Sequence, residues 1–165
     1  MIASAFAPLL NNVRGTQWKF NLINFNSSHV FCAPSYHVLR MLSDARGSYS
    51  LSAGLQGDGL WNAAASLAQG HELSEGSLVL KLANYDPHRR HVNVTFAEWA
   101  PRIAVPTKAV VLTSASPEAE NTLEEPNLLL PSEAPMPAIL PTGLMVDVPP
   151  FSLVVVHIDM AVYEG

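Results

Sequence analysis

The sequence predicts a mainly β protein: an antiparallel β-sandwich, jelly-roll-like, preceded by one leftover strand–helix unit of a β/α architecture. Three observations carry this. Residues 18–47 read as one apolar strand, a short loop and one amphipathic helix. From Ser48 onward the apolar period changes to two, which puts alternate side chains on one face of a sheet. Most of the 13 prolines fall after residue 100, where they preclude long helices.

Phe20 to Phe25 is an apolar run of strand length. Pro34 suits the first turn of a helix, where its missing N–H would be unsatisfied in any case. Val38, Leu39 and Leu42 then fall on one helix face, and Gly47 follows Arg46 as a stop. A lone strand of this kind expects parallel neighbours on both sides. The first 45 residues are therefore expected to be poorly anchored, or packed non-natively on the sandwich. The chain reads as the tail end of a larger enzyme, with residues 1–47 as one part and 48–165 as the other.

Within the second part, Ser48–Ala53 alternates polar and apolar, and Leu60–Leu67 is a second strand weakened by its alanines. Ser77–Asn84 places Leu78, Leu80 and Leu82 on one face. Tyr85–Arg90 has turn chemistry. His91–Phe96 then sends Val92, Val94 and Phe96 inward, so that 77–84 and 91–96 are expected to pair as a hairpin. Lys108–Thr113 is a further strand. Residues 114–150 read as a loop-rich surface excursion with Glu118, Glu120, Glu124, Glu125 and Glu133 exposed. Gly143–Val148 and Phe151–Asp159 close the chain as strands, with Pro149–Pro150 at the bend.

Composition narrows the function. The 165 residues are 48% hydrophobic and 14% charged, enough for a sizeable core and too apolar for disorder. A net charge of −5 argues against nucleic acid and anionic membrane surfaces as partners. The basic cluster His88-Arg89-Arg90-His91 is too short to track phosphates. No run approaches the ~20 apolar residues that span a bilayer. Met1–Leu10 is apolar but lacks the basic start of a convincing secretory signal. The single cysteine, Cys32, lies in an apolar run and reads as a buried, inert thiol with no metal-ligand spacing around it. Sequons at Asn26 and Asn93 are possible glycosylation sites if the chain is secreted.

Three stretches, in order, resemble the C-terminal part of glycoside hydrolase family 51 α-L-arabinofuranosidases. The first runs Ala7-Pro8-Leu9-Leu10, Trp18, Leu22-Ile23-Asn24-Phe25, Pro34-Ser35-Tyr36-His37-Val38. The second is Gly76–Asn84, similar to a family strand that ends Lys-x-Val-Asn. The third is Asn121-Thr122-Leu123-Glu124-Glu125-Pro126-Asn127 with Pro131. The resemblance implies the last strand and helix of a (β/α)8 barrel followed by the β-sandwich. It also implies a parent enzyme that removes terminal non-reducing α-L-arabinofuranosyl groups from arabinoxylan or arabinan with retention, outside the cell. Phe20 and Asn21 stand where the family often has Pro-Asp, and Ala83 where Val is usual.

The family's two catalytic glutamates lie on earlier barrel strands, and none of this chain's carboxylates fits that role. Glu72, Glu75, Glu98 and the glutamates of the excursion all read as solvated loop or strand-end groups, so no catalytic residue is assigned. Barrel enzymes build their sites at the C-terminal ends of strands. Trp18, Asn21 and Asn24 are the candidate substrate-binding residues; Trp18 and Asn21 lead into the strand, while Asn24, Asn26 and Ser27 are better placed geometrically than Trp18, with packing or exposure as the plainer alternative. His29 and His37 read as core or surface groups. His88 and His91 have cationic neighbours that disfavour a metal, and no metal or cofactor is expected. Trp61 and Trp99 would serve as a sugar-stacking platform only in the alternative reading, a stand-alone carbohydrate-binding or interaction sandwich without catalysis; core packing is the simpler expectation.

Overall fold

The computed structural model describes residues 5–15, 18, 21–54, 56–57, 61–67, 77–96 and 102–162. The N-terminal part forms a small sheet. β1 (Leu10–Asn12) runs parallel to β2 (Ile23–Phe25), and β3 (Val30–Cys32) returns antiparallel to β2. The β2–β3 turn is closed by Asn26, whose Oδ1 accepts the backbone N–H groups of Ser28 and His29 at 2.9 and 2.8 Å. This corrects the expectation of two parallel neighbours. The Asn26-Ser27-Ser28 sequence has Asx-turn chemistry, which folds the chain straight back on itself.

α1 (Pro34–Asp44) has Pro34 in its first turn, and the Ala45 backbone N–H donates to the Met41 carbonyl. The helix is not loose. Met41 and Ala45 are buried with Val79, Leu112, Leu153 and Val155 of the large sheet, so the expectation of poor anchoring does not hold for it.

The sandwich has a six-stranded sheet in the order β4 (Tyr49–Leu51), β5 (Trp61–Leu67), β6 (Ser77–Asn84), β12 (Ser152–Val162), β8 (Arg102–Thr113), β9 (Ser132–Glu133). Facing it is a three-stranded sheet of β10 (Ala138–Leu140), β11 (Gly143–Val148) and β7 (Arg90–Thr95). All pairings in both sheets are antiparallel. Between the sheets, Leu78, Leu80 and Leu82 of β6 and Val154, Val156 and Ile158 of β12 meet Leu144, Val146 and Val148 of β11. The run Leu153-Val154-Val155-Val156 does not alternate because both faces of β12 are covered. Its even positions face the small sheet and its odd positions face α1.

The expected hairpin between 77–84 and 91–96 is not formed. β6 is flanked on both sides by β5 and β12, and β7 pairs instead with β11 in the opposite sheet. The 85–89 turn therefore crosses between sheets, which lets Leu80 and Leu82 face Val92 and Val94 across the core rather than sit beside them. β8 is longer than its apolar core suggests. It passes through Pro106 at a bulge, where His157 pairs with Lys108 and Ile158 with Pro106, leaving Thr107 over. The five excursion glutamates are exposed.

Candidate functional site

The residues singled out around the small N-terminal sheet fall into two groups. Asn21 is buried, and its Nδ2 donates to the Trp18 carbonyl at 2.9 Å. Its Oδ1 is buried without a hydrogen-bond partner. Trp18 itself is 67% exposed. Asn24 lies apart from this pair, on β2, and accepts from Asn11 Nδ2 at 2.8 Å. The two are register partners on the parallel strands β1 and β2. The sequence reading missed Asn11; its spacing from Ala7-Pro8-Leu9-Leu10 as the next position on an apolar strand was the available signal. Asn26 is engaged in its turn, and Ser27 is exposed beside it.

The side chains gathered here, Asn11, Asn21 and Asn24, are suited to binding. Amide side chains donate and accept hydrogen bonds without a titratable proton, which suits hydroxyl recognition. A retaining glycosidase needs two carboxyl groups, one with a raised pKa. Asp86 has the opposite shift. Hydrogen bonds from the His88 backbone and ring, together with Arg90, hold its pKa down to about 2. Among the described residues, no group of three His, Cys, Asp or Glu side chains is placed to hold a metal. Glu72, Glu75, Glu98, His71 and Trp99 lie outside the described residues.

The basic cluster meets two aspartates. His88 Nδ1 lies 2.7 Å from Asp86 Oδ1, and Arg90 pairs with Asp86 at 2.9 Å. Arg89 and His91 pair with Asp147 on β11. Trp61 is half-buried and packs on the sandwich core. Asn93 and Thr95 of the second sequon are exposed on β7. Cys32 is half-buried, and burial raises its thiol pKa, consistent with an inert group.

Two buried asparagines hold the frame together. Asn121 Nδ2 donates to the Cys32 carbonyl at 2.8 Å and to Leu129 O at 3.1 Å, while its Oδ1 accepts Leu129 N–H at 2.7 Å. It thus ties the excursion to the junction of β3 and α1. Asn84 Nδ2 donates to His88 O at 2.9 Å and Pro149 O at 2.8 Å, and its Oδ1 accepts Asp86 N–H at 3.1 Å. Both sheet-crossing turns meet on this one amide. The sequence placed both residues in its second and third motifs without assigning either a role.

Comparison with known proteins agrees with this frame. Residues 1–152 match the family model of the α-L-arabinofuranosidase C-terminal domain. The chain is 28% identical to α-L-arabinofuranosidase 2 of Arabidopsis thaliana, covering 90% of this chain and 22% of that protein. It is 33% identical to a probable α-L-arabinofuranosidase A of Aspergillus oryzae, covering 82% of this chain and 20% of that one. An arabinose-bound MgGH51 α-L-arabinofuranosidase structure superposes with a TM-score of 0.82 at 22% identity, over 96% of this chain and 24% of that chain. The chain therefore spans about a fifth of the length of the relatives it matches.

Proposed function

The chain belongs to the α-L-arabinofuranosidase C-terminal domain family, and from that premise we propose that it is the buttress of a retaining α-L-arabinofuranosidase. In this reading the whole enzyme removes terminal non-reducing α-L-arabinofuranosyl groups from arabinoxylan or arabinan. The catalytic glutamates implied by the family resemblance lie outside these 165 residues. The sandwich holds β1, β2 and α1 in place, and Trp18, Asn21 and Asn24 line one wall of the sugar pocket.

The observation that supports this reading is the packing of α1 on the outer face of the large sheet, through Met41 and Ala45, with Asn121 bridging to Cys32 O. A face of Val79, Leu112, Leu153 and Val155 would be exposed apolar surface without the helix. The sandwich is thus shaped to carry the strand–helix unit. The parent enzyme acts outside the cell, and Asn93 is its exposed glycosylation site.

The test is an activity and binding assay on the purified chain. No arabinose should be released from arabinoxylan or from a chromogenic arabinofuranoside above the buffer rate. Turnover by the pure chain would overturn the assignment of the chemistry to other residues.

A further inference from the structure

One cleft is lined by residues of α1 and of the large sheet, and Trp18, Asn21 and Asn24 are not among them. It is a groove of about 340 Å3 between α1 and the β8–β12 portion of the large sheet. Its floor is apolar, made by Met41, Val110 and Val155. Its polar lining holds two cations, Arg40 and Lys108, one acid, Asp44, and two histidines, His37 and His157. Lys108 and His157 are direct register partners on β8 and β12, so they project from the same face as Val110 and Val155 two residues along. Arg40 and His37 reach the groove from α1.

Asp44 is the acid in this lining, and it sits 3.7 Å from Arg40 in an exposed pair. Such a pair is weak and readily exchanged for another anion. Glu133, on the edge strand β9, is the register partner of Val110 and is exposed at the flank. Asp159 on β12 and Lys81 on β6 also act on His157. Burial and then Arg40 lower the pKa of His37; burial and then Lys108 lower that of His157. Burial, the larger cause in both, keeps the two rings neutral, and Arg40 and Lys108 are the cationic neighbours that act in the same direction.

His37 supplies the independent sign of an incomplete site. It is 7% exposed, and its Nε2 has no hydrogen-bond partner. Buried polar nitrogens are rarely left so. In a chain whose net charge is −5, Arg40 and Lys108 line the same small cleft.

We propose that the groove binds a carboxylate borne on a monosaccharide-sized ring, that is, a sugar acid. The carboxylate sits among Arg40, Lys108 and His157, and the ring lies over Val110 and Val155. The volume is at the small end of ligand clefts, which suits one ring rather than a polymer. That the ring is a sugar rests on the glycan reading given above; the requirement for a carboxylate does not.

The experiment uses the full chain, with the histidine ring signals followed by NMR during titration near neutral pH. The probes are glucuronate, its neutral analogue glucose, and inorganic phosphate. Glucuronate should give saturable shifts at His37 and His157, and glucose none. Arg40→Gln and Lys108→Gln should each weaken glucuronate binding by roughly tenfold, as expected for loss of one charge-assisted contact. Arg40→Lys should recover part of the loss. Both sites are solvent-accessible charge changes, and unchanged backbone spectra will report an intact fold. Absence of saturable shifts, or equal shifts with glucose, would overturn the proposal; phosphate binding as tightly as glucuronate would overturn the assignment to a sugar acid. Arabinose titrated in parallel reads on Trp18 and Asn24, so the glycan reading fails or stands on separate signals.

Discussion

The side-chain amide of Asn121 donates to the main-chain carbonyl of Cys32 at 2.8 Å across 89 residues of sequence. This bond is the covalently distant link between the excursion and the strand–helix unit. Because the same amide also closes on Leu129 at both ends, it is fully used and buried. Asn121→Ala strands two carbonyls and one N–H. The expected cost is about 2–4 kcal/mol, read by chemical denaturation. Asn121→Asp, which keeps the acceptor and loses both donors, should also destabilise.

Met41 tests the apolar half of the same attachment. It is buried against the sheet with Ala45, Leu112 and Val155. Met41→Ala should cost about 2–5 kcal/mol. Limited proteolysis of that variant should open cleavage within residues 33–47 before the sandwich is cut. Simultaneous loss of both parts would show one cooperative unit instead.

Gly143 begins β11 where the chain passes close to β7. A Cβ built there would lie 1.8 Å from the Val94 carbonyl oxygen, a backbone atom that cannot swing aside. Gly143→Ala should cost more than about 2 kcal/mol and weaken amide protection at the Val94–Thr95 end of the ladder. Gly54, with nothing within 4 Å, is the control, and Gly54→Ala should be near neutral.

Two pH dependences follow, with opposite groups and the same sign. His37 and His157 have pKa values lowered below their ordinary 6.5, so the unfolded chain binds protons more readily. Stability is full above 6.5, declines as pH falls through that value, and levels below the folded pKa values. His37→Gln should flatten part of this slope in denaturation curves taken across the range. Asp86 is held at about 2 against an ordinary 3.8, so its contribution is present above 3.8 and is lost as pH falls through about 2. Asp86→Asn should remove that acid-limb component and free the ring of His88.

The sandwich was legible because alternation survives wherever one face is polar, as in His91–Phe96 and Gly143–Val148. Strand partners were not. A period of two assigns faces, but it does not say whether β6 meets its successor beside it or across the core. The turn at 85–89 has the same local chemistry in either case, and the deciding contact, Asn84 to Pro149 O, spans 65 residues. The helix was legible from Pro34 and the spacing of Val38, Leu39 and Leu42. Its anchoring was hidden because the complementary surface, Val79, Leu112, Leu153 and Val155, lies on strands whose inward faces already accounted for their apolar residues. Of the candidate site, Trp18 and Asn21 are in contact through the tryptophan carbonyl, whereas Asn24 is held separately by Asn11. The β1–β2 pairing that joins those two asparagines could not be read from three-residue strands.

The most direct test of the buttress is native-state hydrogen exchange on the purified chain. If the sandwich carries the strand–helix unit, the amides of α1 from Val38 to Ala45 exchange only by openings close in free energy to those of β6 and β12. In Asn121→Ala they lose protection before the sheet does. Exchange of α1 in the parent chain at the rate of an unfolded peptide, with β6 and β12 still protected, would contradict the attachment and the function built on it.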